Sequence, residues 1–460
     1  MNQFIQDLAS NNVSLLNVNL EVNGTLVATL QKELQSDYLD DNEIERFVEE
    51  SKLYEGKWTR FNILLQSFLK YCRDVNPWSL WESSDLIFTY YQDLSTCLLN
   101  DSYAMGNLVW LFRDVTGWII PLATKLDANY EVIGTRENQF LQYVASVISK
   151  VFNSIKARFE EVPTRYDQLP EKQQILLFVA NKLNNIYFQI DSPSSCSNIF
   201  RNMKPKSMIE HFYQYPIKEQ IEYKYLLGRY YLLNHRVSDS FRQLNNSFSM
   251  LIFCSKHTSN PSPELKRNMI RVLSYLLPAG IILGKLPSLR LVEQLSPKLA
   301  GMYSELIHLL KAGNLAGLNQ WLSMNEKYLL SKKLLLLLLE KLPVLAYRSL
   351  LRKVFQYIVL PMNTNRISYA VIEKALSISI ADTPHNNNLR PIYRMIHTSN
   401  NAENVLVTLI NHSLLRGNCF PLNKICVTLK TGKLIQIFPP INERISGKFP
   451  LTQDDAWLDS

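Results

Sequence analysis

The sequence predicts a mainly α-helical chain, a solenoid of tetratricopeptide-like helical hairpins that ends in a small C-terminal winged helix. Three observations carry this. Apolar residues recur at three- and four-residue spacing along most of the 460 positions. Glycine is scarce, at 14 residues. Short β-branched runs around a Gly-containing turn gather near the C-terminus. Few glycine turns and long periodic stretches favour packed helices over a sandwich or a doubly wound sheet. A hydrophobic fraction of 47% with 20% charged residues suits a folded chain, and the length exceeds what one core usually fills, so two or more packed units are expected.

Residues 1–59 hold eleven acidic against four basic residues and read as a loosely attached acidic arm with one or two short helices, such as Asp41–Glu50. From Arg60 the helical period takes over, with Phe61, Leu64, Leu65, Phe68 and Leu69 on one face. That helix stops before Asn76-Pro77, because the residue preceding proline is pushed out of helical geometry. Ser83, Ser84 and Asp85 then offer N-caps for a helix reaching about Asn100. Further helices are expected at about 107–126, 136–156, 173–190 and 218–233. Residues 157–172, with Pro163 and Pro170, read as a polar connection within the solenoid. Leu227-Gly228-Arg229-Tyr230-Tyr231, followed by Ser240, Leu244 and Ser247, has the spacing of a tetratricopeptide hairpin, with Asn234-His235-Arg236 as its turn.

After Pro287 the pattern continues through 303–311, 315–325, 329–342 and 346–357, with Ala312-Gly313-Asn314-Leu315 as a tight turn. The six leucines Leu334–Leu339 read as a fully buried helix, since a zipper needs heptad spacing. Beyond Pro361 come a helix at 368–380, a polar loop at 383–390 and a helix at 402–415. Two β-like runs follow, 425–429 and 434–438, joined by Lys430-Thr431-Gly432-Lys433. Helix, helix and hairpin in that order describe a winged helix. The domain expectation is therefore an arm at 1–59, a solenoid at 60–360, a winged helix at 361–450 and a frayed tail at 451–460.

No catalytic constellation and no cofactor site stand out. The seven histidines form no HExxH, and neither GxGxxG nor GxxxxGK[ST] occurs. The closest approach to a zinc site is Cys419 and Cys426 with His412 nearby, but both cysteines sit where a small apolar residue fits a winged-helix core. The six cysteines are scattered without a CxxC pair and no signal peptide opens the chain, which reads as reduced thiols in cytosol or nucleus. The most apolar stretch, 329–342, is too short and too charged to span a bilayer.

Charge is more informative. Residues 311–448 carry eighteen Lys and Arg against six acidic residues, an imbalance that favours a polyanionic partner. The candidates for nucleic-acid contact are Arg348 and Arg352 at i,i+4, adjacent Lys353, Arg416 just past the second helix, Lys424 at the start of the first strand, and Lys430 and Lys433 bracketing Gly432. Such residues neutralise phosphates and release counterions, giving salt-sensitive affinity with little sequence selectivity. The plainer reading is that Arg348 and Arg352 pair with acids such as Glu340 or cap helix carbonyls. The tyrosines Tyr223, Tyr225, Tyr230 and Tyr231 suit core or partner contact better than base stacking.

A helical solenoid running into a winged helix resembles the PCI domains of proteasome lid, COP9 signalosome and initiation-factor subunits, and AGNLAGLNQWLSMN (312–325) is similar to that family's Gly-Asn/Asp-Leu turn before an aromatic-bearing helix. Over nearly its whole length the chain is similar to the PCI subunit of the second transcription and export complex. The stretches carrying this are DVNPWSLWESSDLIF (74–88), NKLNNIYFQI (181–190), YLLGRYYLLN (225–234), LLEKLPVLAYRSL (338–350), AENVLVTLINHSLLRGNCFP (402–421) and PPINERI (439–445). The resemblance implies a PCI helical part from about residue 218 and a non-catalytic scaffold linking transcription to messenger-RNA export on the nuclear side of the pore. The partners it implies are a large helical PCI-like scaffold protein, a small acidic protein lying along the solenoid, and RNA and DNA. A second reading is a purely protein-binding subunit of a lid-like, signalosome-like or initiation-factor complex, its basic face serving an acidic partner.

Overall fold

The computed structural model describes residues 1–100, 106–133, 137–155, 166–203, 212–257, 262–380, 389–394, 402–448 and 450–458. They form two compact units, Met1–Tyr223 with Asp455–Ser460, and Lys224–Asp454.

In the first unit the N-terminal residues are part of the core. Helices Asn2–Ala9, Leu20–Asp37 and Asp41–Glu50 bury Phe4, Leu8, Val27, Leu30, Leu34, Ile44 and Val48. Asp40 and Glu43 close a capping box at the start of the third helix. The latter two pack on helix Thr59–Asp74, which carries the expected Phe61, Leu64, Leu65, Phe68 and Leu69 face. The hydroxyl of Tyr71 donates to the Val18 carbonyl at 2.8 Å, and that of Tyr90 to the Leu16 carbonyl. The expected loose acidic arm is thus an integral layer. Glu21, Asp37, Asp41 and Glu49 are exposed, while Val27, Leu30, Leu34, Ile44 and Val48 fall at helical spacing toward the core.

Helices Ser84–Leu98, Asn107–Ile133, Gln139–Ile155 and Leu176–Gln189 continue the stack. Of the connection expected at 157–172, residues 157–165 lie outside the described residues. The remainder forms the turn Tyr166–Gln168 and the start of helix Glu171–Gln174. The tail expected to fray includes Trp457, which is buried against Phe212 and Tyr223 at ring-centroid distances of 5.6 and 6.1 Å. An indole that large gains too much from burial to stay unpacked in water.

The second unit opens within the first helix of the expected hairpin, which is present. Helix Ile217–Leu233 is followed by Val237–His257 across a turn in which His235 takes φ +60°. A Cβ at Gly228 would lie 2.7 Å from Leu244, and the Ser240 hydroxyl donates to the Gly228 carbonyl at 2.8 Å, so small residues set the approach. Downstream, Pro297–Ala312, Leu315–Met324 and Glu326–Ser331 lead to one long helix, Leu335–Val354, with Pro343 inside it. The sequence pattern predicts two helices there. Continuous burial of Leu338, Leu342, Leu345, Ala346 and Leu351 outweighs the one backbone bond a proline removes. The leucine run is not fully buried, since Leu336 is 72% exposed.

The winged helix comprises β1 (Arg366–Ser368), helices Tyr369–Ile380 and Ala402–Asn411, β2 (Gly417–Phe420) and β3 (Ile425–Thr428). The strands form an antiparallel sheet in the order β1-β3-β2. The loop expected at 383–390 lies almost wholly outside the described residues. The hairpin differs from the expected pairing: β3 returns on β2 through Pro421–Asn423, while Leu434–Ile437 is a helical turn. In β3 burial alternates, as a strand requires. In 434–438 it does not: Ile435 is exposed and the adjacent Ile437 and Phe438 are both buried.

Candidate nucleic-acid interface

The segment 312–325 ties helix Tyr369–Ile380 of the winged helix to the helices before it. Gly313 takes φ +68°, and a Cβ there would lie 2.7 Å from the Leu350 backbone nitrogen, so only glycine fits both the turn and the close approach. The Asn314 side chain accepts from the Gly317 N–H at 2.8 Å and caps helix Leu315–Met324. The Ser379 hydroxyl donates to the Gly313 carbonyl at 2.6 Å and accepts from the Leu315 N–H at 3.0 Å. Trp321 is buried, its indole N–H donating to the Met302 carbonyl at 3.0 Å. The Ser379 bonds tie the turn to helix Tyr369–Ile380, and the close approach at Leu350 sets the turn against the long helix, giving one support for the basic residues.

Arg348 does not belong to the exposed surface. It is 9% exposed, and its Nη2 donates to the carbonyls of Phe438 at 3.1 Å and Pro439 at 2.8 Å. Pro439 and Pro440 have no N–H, so this segment cannot complete a regular ladder. Arg348 supplies the donors its buried carbonyls need. Burial, and then the neighbouring charge of Arg352, pull its pKa down to about 10. The expected contact residue is a structural strut. Glu340 pairs with Lys341 at 2.7 Å rather than with Arg348 or Arg352.

One turn further on, Arg352 and Lys353 are exposed. With Lys311, Arg348, Ser349 and Gln356 they line a cleft of about 360 Å³ that has no acidic residue in its walls. Lys311 is absent from the sequence-based candidates. The signal for it is positional, a cation in the last turn of Pro297–Ala312, immediately before the Ala312-Gly313 turn.

The remaining cations lie on the hairpin and its flanks. Lys424 is exposed at the turn between β2 and β3 with φ +49°, and its carbonyl accepts from the Tyr369 N–H at 2.9 Å. Arg416 is exposed just before β2, its backbone N–H donating to the Ile437 carbonyl at 2.9 Å. Lys430 and Lys433 are exposed around Gly432. The Thr431 hydroxyl orders this turn, donating to Gln436 Oε1 at 2.6 Å and accepting from the Lys433 N–H at 3.2 Å. Among the described residues, none of Arg352, Lys353, Arg416, Lys424, Lys430 and Lys433 is held in an ion pair.

Among the described residues no group of three or more His, Cys, Asp or Glu is placed to hold a metal ion, and no helix is long and apolar enough to cross a membrane. His412 lines a separate cavity with His235 and Glu340, whereas Cys419 and Cys426 face each other across β2 and β3.

The PCI domain profile matches residues 318–430, from inside the Trp321 helix to the Lys430 turn. A relative aligned from end to end is 43% identical, so the chain belongs to the PCI domain family. That relative is the nuclear mRNA export protein THP1 of Saccharomyces cerevisiae, aligned over 460 residues and 99% of each chain. The chain is also similar to the protein CSN12 homolog of Schizosaccharomyces pombe, 24% identical over 421 residues, 89% of this chain and 90% of that one. The PCI domain-containing protein 2 homolog of Dictyostelium discoideum is 23% identical over 293 residues, 61% and 64% of the two chains.

Proposed function

We propose that the chain is a non-catalytic scaffold subunit of nuclear messenger-RNA export, coupling transcription to export at the nuclear side of the pore. The end-to-end likeness to a protein named for nuclear mRNA export supports the process. The basic surface of the second unit holds RNA and DNA through their phosphates, and the single observation favouring this is the acid-free cleft carrying Lys311, Arg352 and Lys353. Exposed Lys424, Lys430, Lys433 and Arg416 extend the cationic surface. Such residues do no bond-making chemistry. They neutralise phosphates, release counterions and position the strand without reading bases.

The protein partners are a large helical scaffold protein with its own PCI-like region and a small acidic protein lying along the solenoid. Exposed apolar Tyr357, Met362 and Leu422 suit burial against such a scaffold. The test is RNA binding by the assembled complex after charge reversal at Arg352, Lys353, Lys430 and Lys433, with Arg348 untouched. The expected result is weakened RNA affinity with assembly intact. Unchanged RNA affinity favours instead a purely protein-binding PCI subunit whose basic face serves an acidic partner.

A further inference from the structure

We propose that Cys419 and Cys426 are a redox-active dithiol, a modification site that closes reversibly to a disulfide across the β2–β3 hairpin. The two residues are direct partners in the antiparallel register, Cys419 opposite Cys426. Side chains directly opposed on one face of such a pair have Cβ atoms about 4.5–5.5 Å apart. A disulfide wants about 3.5–4.5 Å, so closure needs only a slight approach of the strands. The sheet order β1-β3-β2 makes β2 an edge strand, held by the sheet on one side only and joined to β3 by the short Pro421–Asn423 turn.

The two sulfurs differ in a way that assigns their roles. Cys419 is half-buried and Cys426 is fully buried in the winged-helix core. Burial, and then the adjacent Cys419 thiol, push the Cys426 thiol up to about 12. The thiolate is the reactive form, so buried Cys426 does not attack oxidants from solvent. Cys419 is the entry point. Its thiolate attacks a hydroperoxide, taking one oxygen to become a sulfenic acid while the oxygen–oxygen bond breaks. The departing oxygen takes up the proton the thiol released on ionising and leaves as water or an alcohol. The Cys426 sulfur then forms the S–S bond, its proton leaving with the sulfenic hydroxyl as water. Two electrons pass from the pair to the hydroperoxide, and a thiol reductant such as glutathione returns them by exchange. Strand pairing keeps the poorly ionised Cys426 beside its target throughout, which offsets its low reactivity.

The full-length protein tests this without any nucleic acid, so the result is independent of the proposed function. It is exposed to hydrogen peroxide, its free thiols are alkylated, and it is digested with trypsin, which cuts after Arg416, Lys424 and Lys430. The expected product joins GNCFPLNK to ICVTLK with a mass two hydrogens below the sum of the peptides, and dithiothreitol releases both. Cys419→Ser and Cys426→Ala each abolish the product. Cys426→Ala also leaves Cys419 to accumulate as sulfinic acid, while the alanine keeps the core apolar. Wild-type protein in which both peptides stay alkylated overturns the proposal. So does oxidation of the Cys419 peptide to sulfinic acid while the Cys426 peptide stays alkylated.

Discussion

The guanidinium of Arg348 donates to the carbonyl of Pro439 at 2.8 Å, ninety-one positions along the chain, and to that of Phe438 beside it. A cation from the long PCI helix therefore pins the segment that follows the wing turn. Arg348→Met retains much of the volume but leaves two buried carbonyls without donors. The expected cost is about 3 kcal/mol, at ~1–3 kcal/mol for each unsatisfied group. Urea unfolding measures it. RNA affinity of the folded fraction is expected to stay within a factor of about two, since that affinity is set by cations that reach phosphate. Burial lowers the folded-state pKa, so this group makes the protein more stable as pH rises through about 10 toward the ordinary arginine range, and adds no slope at neutral pH.

Gly313→Ala forces a side chain into φ +68° and against the Leu350 backbone nitrogen. Left-handed strain of about 1–2 kcal/mol plus overpacking should lower stability by about 3 kcal/mol in all. Gly432→Ala is the control, because a Cβ there meets nothing within 4 Å. Thermal unfolding should move for the first variant and stay within about a degree for the second, as expected of an unstrained surface change.

Buried Glu219 couples the first unit to pH. Its backbone carbonyl accepts from Asn181 Nδ2 at 2.9 Å, and its carboxylate lies 3.1 Å from Arg113 Nη2. Burial, and then Glu222, raise its pKa above the ordinary glutamate range, against the lowering effect of Asn181, Lys182 and Arg113. The folded state then binds a proton more tightly than the unfolded one, so stability from this group is present at acid pH and is lost as pH rises through the raised value. Glu219→Gln should flatten that slope in denaturation measured from mildly acidic to neutral pH. Glu219→Ala should also flatten it, and cost about 1–2 kcal/mol more through the missing side-chain hydrogen bond and packing.

Removing residues 1–58 should not yield a trimmed but folded solenoid. It strips the carbonyl partners from Tyr71 and Tyr90 and uncovers Phe61 and Phe68, which are fully buried. The truncated chain is expected to aggregate and to bind a hydrophobic dye, and size-exclusion chromatography reports the outcome. A monodisperse truncated chain with native helicity would mean this layer is dispensable.

Much of the fold was legible because helical periodicity is local. The Phe61–Leu69 face, the Gly228 hairpin and the tight turn at Gly313 all depend on residues within a few turns of one another. What misled was chain-distant packing. Acidic composition hid the apolar faces of residues 1–58, and Pro343 suggested a break that tertiary burial overrides. The second β-like run at 434–438 yields its place in the sheet to Gly417–Phe420, whose β signal is weak because a glycine opens it. That glycine is required, as a Cβ there would lie 2.9 Å from the Val427 carbonyl. Arg348 looked like its exposed neighbours because four-residue spacing places residues on one face but does not say which one the winged helix covers. Lys311 escaped notice because it joins Arg352 and Lys353 only through the tertiary cleft.

The most direct measurement is the slope of the logarithm of RNA affinity against the logarithm of salt concentration, taken with the assembled complex. If exposed cations hold phosphates, affinity falls steeply with salt. Neutralising Arg352, Lys353, Lys430 and Lys433 together should then make the slope shallower by ~0.7 for each phosphate of single-stranded RNA that these cations no longer neutralise. A slope near zero for the unaltered complex, or one that the fourfold variant leaves unchanged, would contradict nucleic-acid binding by this surface.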